Sequence, residues 1–149
     1  MKVAIDSSVL VGLINPRDHR RAEALALRNA LQAAQAEAVY FDCVAAEAIS
    51  TVARRLHEKG RLAEVDAWLG LLSVQVPAET ITWILPDVPR LYPAVLELIR
   101  SSSGEMNFND SLIALACRER EIPEIASFDA DFDRVTWLRR LARPEDVRA

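Results

Sequence analysis

The stretch Lys2-Val3-Ala4-Ile5-Asp6-Ser7-Ser8-Val9-Leu10 decides how the rest of the chain reads. Its apolar residues, Val3-Ala4-Ile5, are contiguous and do not alternate with polar ones. That pattern suits a central strand of a parallel sheet, covered on both faces. Asp6 ends the strand, and Ser7-Ser8 opens a short apolar helix from Val9 to Ile14. Asn15-Pro16 stops the helix, because the residue before a proline avoids helical dihedrals. In open α/β sheets, ligands sit at the carboxyl ends of the strands. Asp6 therefore stands where a site is expected.

Outward from this start, strands and helices alternate. Asp18 to Gln35 reads as a helix and Ala38-Val39-Tyr40-Phe41 as a strand. Asp42 is placed to cap a helix from Cys43 to about Lys59, with Gly60 at its C-terminal cap. Arg61 to Leu72 reads as a further helix. Val74-Gln75-Val76 reads as a third strand, closed by Pro77. The stretch from Glu79 to Pro93 has three prolines and no clear period. A helix from about Ala94 to Arg100 precedes a loop, Ser101-Ser102-Ser103-Gly104. Phe108 to Arg120 is helical, Glu124 to Ser127 extended, and Asp129 to Asp133 a turn. No repeat or linker divides the chain. The expectation is one α/β domain over residues 1–149, with a mainly parallel sheet flanked by helices.

Bulk properties exclude several classes. At 149 residues the chain is long enough for a real core. Its 51% hydrophobic and 27% charged residues are those of a globular protein. No run approaches the roughly 18 apolar residues of a membrane span. The short apolar start is no signal peptide, so the expected location is cytoplasmic. Cys43 and Cys117 lie far apart and form no cluster with His19 and His57, which argues against zinc. The net charge of −4 speaks against a nucleic-acid binder taken alone. Gathering four of the 22 acids into one site, however, leaves as many acids as bases elsewhere. Bound cations would then reverse the local field.

The candidate acids are Asp6, Glu47, Asp110 and Asp129. Each also has a plain structural explanation. Asp6 could cap the first short helix. Asp110, three residues after Asn107, fits the acidic position of a capping-box-like start. Asp129 could cap the turn through Phe132. Glu47 lies opposite the apolar stripe of its helix, Val44, Ala48, Val52 and Leu56, and so reads as surface. Together they say more. Mg²⁺ and Mn²⁺ prefer carboxylate oxygens. Metals so held can neutralise a phosphodiester, activate water and stabilise the leaving oxygen.

The chain resembles the PIN-domain family and, within it, the small VapC-like ribonuclease toxins of toxin–antitoxin pairs. Val3-Ala4-Ile5-Asp6-Ser7-Ser8-Val9-Leu10 is similar to the family's opening strand with its acid. Val44-Ala45-Ala46-Glu47-Ala48 is similar to the second motif. Asn109-Asp110-Ser111-Leu112-Ile113-Ala114-Leu115-Ala116 is similar to the third. Ala126-Ser127-Phe128-Asp129-Ala130-Asp131-Phe132 is similar to the last, where a Ser or Thr precedes an acid by two residues. The resemblance implies a PIN fold, RNA as substrate and Mg²⁺ or Mn²⁺ as cofactor. It also implies a homodimer neutralised by a cognate antitoxin protein. It makes Asp6, Glu47 and Asp110 metal-site acids. Asp129 is the fourth and Asp131 its rival, with Ser7 and Ser127 positioning a phosphate or water.

Cations for phosphate contacts are available on either side of Glu47 and Asp6: Arg17, Arg20 and Arg21, and Arg54, Arg55 and Lys59. Solvated helix faces explain them equally well. Two rivals stand against a metal-dependent endoribonuclease. An aspartyl phosphotransferase of the haloacid-dehalogenase type needs a second Asp two residues after the first, where this chain has Ser8. A catalytically silent PIN-like module that binds protein or RNA would have no need of clustered negative charge.

Overall fold

The computed structural model describes residues 1–148. Its five strands form a single all-parallel sheet in the order β3-β2-β1-β4-β5. The strands are β1 (Lys2–Ile5), β2 (Glu37–Phe41), β3 (Ile81–Thr82), β4 (Glu124–Ala126) and β5 (Arg139–Leu141). The contiguous apolar run has the expected consequence. Val3, Ala4 and Ile5 are all buried, and β1 lies between β2 and β4 at the centre of the sheet.

Among the described residues six α-helices flank the sheet: α1 (Ser7–Ile14), α2 (Arg21–Ala33), α3 (Asp42–Glu58), α4 (Val65–Gln75), α5 (Val88–Ser101) and α6 (Phe108–Glu119). Helix α1 packs against α2, α3 and α4, while α5 lies along α6. α1 is too short for propensity to hold it, and burial of Val9, Leu10, Leu13 and Ile14 does so instead. At Gly12 a Cβ would meet the Ala24 Cβ at 2.7 Å, so the hydrogen side chain sets the α1–α2 separation. Gly60 has φ +66° just beyond α3, the left-handed geometry expected of a helix terminator.

Four readings of the sequence are corrected. Val74-Gln75-Val76 is not a strand: α4 runs through Gln75 and Val76 is its C-terminal cap. Trp68, Leu72 and Val76, spaced four apart, all turn inward, so the helical period prevails over a short β-branched run. The third strand is instead the two-residue Ile81–Thr82. Helix α5 begins at Val88 rather than about Ala94 and carries Pro93 inside it. Asp42 is the first residue of α3, not its cap. Its carboxylate accepts the Cys43 N–H at 2.9 Å, the Ile84 N–H at 3.1 Å and the Leu85 N–H at 2.9 Å. It thus fastens the β2–α3 junction to the segment after β3. Strand β5 was not read at all.

Candidate active site

The parallel sheet brings the acids to one edge. Asp6 leaves the carboxyl end of β1, and Asp129 follows the carboxyl end of the adjacent β4. Asp110 lies in the first turn of α6, whose N-terminus faces the same edge because α6 runs back before feeding β4. Glu47 stands on the second turn of α3, which starts directly from the end of β2.

Asp6 is buried, at 3% exposure. It occupies the N-cap position of α1, yet its side chain makes no cap hydrogen bond. Its Oδ2 accepts two hydroxyls instead, Ser127 Oγ at 2.7 Å and Ser8 Oγ at 2.8 Å. Each serine is fixed in turn. Ser8 Oγ accepts the Phe128 N–H at 3.0 Å, and Ser127 Oγ accepts the Asp129 N–H at 2.9 Å. The β1–α1 turn and the segment after β4 are therefore bolted together through one carboxylate oxygen. In the sequence Ser8 opens α1 and mismatches the phosphotransferase pattern, with no role at the site. The structure gives it the hydrogen bond to Asp6, whereas Ser7 lies beside Glu47. The signal for Ser8 was its two-residue spacing from Asp6, the same spacing that separates Ser127 from Asp129.

The acids perturb one another's proton affinity. Burial raises the Asp6 pKa, with the Ser127 and Ser8 hydroxyls opposing. Burial also raises that of Asp110, and the charges of Asp6, Asp129, Glu47 and Asp131 add to it in that order, pushing it up to about 7. Glu47 is an exposed residue, as its helical face indicated. Partial desolvation and then the Asp6 charge still raise its pKa, while Asn109 and Ser7 beside it pull the other way. Asp129 caps the short 3₁₀ turn Ala130–Arg134, accepting the Asp131 N–H at 2.9 Å, so its plain structural role is also real. Asp131 is perturbed first by Asp129 and bears least on Asp110. It stands at the outer margin of the group.

The other buried acids are compensated. Asp18 accepts Arg55 Nη1 at 2.7 Å and the Arg20 N–H at 3.0 Å. Glu124 pairs with Arg139, and Asp42 holds three backbone N–H groups. Among the described residues, Asp6, Glu47, Asp110, Asp129 and Asp131 have no cationic side chain within ion-pair distance. Among those residues no three acids, cysteines or histidines stand grouped so that they could hold a metal ion as placed. The fit to a divalent cation therefore rests on donor chemistry: hard oxygens, mutual repulsion and two buried carboxylates that no protein cation neutralises.

Residues 3–138 match the PIN domain family. The chain belongs to the PIN domain family. No curated protein matches it in sequence. Among solved structures, this PIN domain is similar to VapC20 of Mycobacterium tuberculosis, a toxin that cleaves the sarcin-ricin loop. The two share 19% identity over 90% of this chain and 95% of that one, with a TM-score of 0.64. The likeness establishes the fold. The four quoted motifs all fall within the matched residues.

Proposed function

We propose that this PIN domain is a divalent-metal-dependent endoribonuclease and the toxin of a toxin–antitoxin pair. Asp6 and Asp110 carry the reading: two neighbouring buried carboxylates without a protein cation. Leaving such groups uncompensated costs several kcal/mol unless they are protonated or bind a cation. Family membership and the likeness to a toxin that cleaves the sarcin-ricin loop support the same reading.

In this proposal Asp6, Glu47, Asp110 and Asp129 hold Mg²⁺ or Mn²⁺, with Asp131 at the margin. The ion supplies charge neutralisation at the scissile phosphate and lowers the pKa of water. Ser8 and Ser127 fix the Asp6 carboxylate through Oδ2, so it would meet an ion in one set orientation. Asp110 holds a proton near neutrality and surrenders it when a cation takes its place. Ser7 and Asn109 orient Glu47 on the open side of the cleft. The products would be a 3′-hydroxyl and a 5′-phosphate. A cognate antitoxin covering the cleft and a homodimer complete the proposal.

The test is RNA cleavage with Mn²⁺ or Mg²⁺, with EDTA, and with Asp6→Asn or Asp110→Asn. Cleavage should need the metal and fall by at least about a hundredfold in either variant, the scale of losing one preorganised charge at a reacting phosphate. Cleavage that persists in EDTA and in both variants sinks the reading. A silent binding module would instead take up no Mn²⁺ at millimolar concentration in calorimetry.

A further inference from the structure

The cations that flank the site in sequence have separate fates in the fold. Arg21 donates to the Gly12 and Leu13 carbonyls and secures the end of α1. Arg20 pairs with Glu23 at 2.9 Å and lies over the Phe128 ring at 4.8 Å. Arg54 stands 4.0 Å from Glu58 on its own helix. Arg17 pairs with Glu64 at 2.6 Å and Arg55 with Asp18 at 2.7 Å, and these two share one cleft with Lys59 and with Arg61, which follows α3.

That cleft, about 180 Å³, lies between the carboxyl end of α3 and the Asn15–His19 turn. Arg17, Arg55, Lys59 and Arg61 line it, with His19 at its side. Four permanent cations face two carboxylates, Asp18 and Glu64, so positive charge is in excess. Lys59 has no carboxylate within ion-pair distance among the described residues, and Arg61 Nη1 is a buried donor with no partner. The cleft does not stand apart. Asp18, His19 and Arg55 also line a second opening, which Ser7, Ser8 and Glu47 line from the other side. Glu47, Thr51, Arg55 and Lys59 recur at four-residue intervals along one face of α3 and its cap. From Glu47 to Lys59 the stripe rises about 18 Å, the length of a few nucleotides.

We propose that this cleft seats a backbone phosphate of the RNA strand leading into the carboxylate site, held by Arg55, Lys59 and Arg61. The inference rests on the ribonuclease reading and adds the direction of the strand. A polyanion entering an acidic site needs its flanking charges met elsewhere, and α3 changes sign along one face to do so. Asp18 locks Arg55 in place, Lys59 has no carboxylate partner, and the part-exposed Arg61, 3.8 Å from Glu64, would turn its unpaired Nη1 outward to donate.

The test is steady-state cleavage of a single-stranded RNA of about a dozen nucleotides in Mn²⁺, across a salt series. Lys59→Ala combined with Arg61→Ala should lower kcat/KM roughly tenfold, through KM, and flatten its salt slope by about 0.7, the value for one lost phosphate contact. A trinucleotide, too short to span the stripe, should lose far less. Lys59→Arg should keep the slope, which a merely structural role of Lys59 does not require. Lys2→Ala, at the opposite end of β1, should track the wild type. Wild-type salt slope and KM in the double variant overturn the phosphate seat while the ribonuclease reading stands. Undiminished cleavage by Asp6→Asn overturns the ribonuclease reading itself, and the seat with it.

Discussion

Replacing Asp110 by Asn should stabilise the metal-free protein at neutral pH while removing its activity. The ordinary pKa of 3.8 is raised to about 7 in the fold, first by burial and then by the charges of Asp6, Asp129, Glu47 and Asp131. A folded-state pKa above the unfolded value means that the folded protein binds the proton more tightly. The associated stability is complete below the unfolded value and is lost as pH rises through about 7. For one group the loss is about 4 kcal/mol by pH 8, about 2 kcal/mol at pH 5 and under about 1 kcal/mol at pH 4. The acids of the group titrate together and share the repulsion, so about 4 kcal/mol is a ceiling. Even about 2 kcal/mol corresponds to a rise in Tm of about 4–8 °C for a chain of this size.

The assay is thermal unfolding of wild type and Asp110→Asn in EDTA at pH 4, 5 and 8. The variant should melt higher at pH 8, and its advantage should shrink steadily toward pH 4. Added Mn²⁺ should reverse the order, because the ion binds the wild-type carboxylate and stabilises only the form that holds it. Equal melting at pH 8 in EDTA, or the same gap at all three pH values, would refute the claim that Asp110 is an electrostatically strained acid.

Ser127→Ala removes a donor to Asp6 and the acceptor of the Asp129 N–H. It should cost about 1–3 kcal/mol in urea unfolding and weaken Mn²⁺ binding about 10–100-fold by calorimetry. Asp42→Ala should cost about 3 kcal/mol in the same unfolding assay, because the Ile84 and Leu85 N–H groups lose their acceptor. Its folded fraction should retain cleavage, which separates this buried acid from those of the site. Gly12→Ala should destabilise by about 1–3 kcal/mol in a thermal melt, because the new methyl must push α2 away from α1.

The centre of this fold is legible in its sequence because it is locally determined. Contiguous Val3-Ala4-Ile5 admits little but a doubly covered strand, and Asn107 does cap α6, accepting the Asp110 N–H at 2.8 Å. The edges are not legible, for a physical reason. Strand β3 is two residues long and β5 three, and each is held by register to a neighbour rather than by a pattern of its own. Arg139-Arg140-Leu141 looks like no strand, because Arg139 pairs with Glu124 across the sheet and Arg140 with Asp133. Helix α5 hides behind Pro89 and Pro93, whose low helix propensity is overcome by burial of Leu91 and Val95.

The site follows the same division. Asp6 and Asp110 stand out because an acid at the end of a buried strand, or in a first helical turn, is already odd or already placed. Glu47 reads as surface, and it is surface: an exposed residue can still border a shared cleft. Periodicity reports which face of a helix meets the core, and it is silent about which solvent-facing groups meet each other. The same silence covers Asp42 and Ser8. Asp42 is as buried as Asp6, yet it is spent on three backbone N–H groups, while Ser8 completes the lock on Asp6. What distinguishes a candidate metal-site acid from a structural one here is whether the fold has already given it a cation or a set of backbone N–H groups, and that becomes visible only when β1, β4, α3 and α6 are assembled.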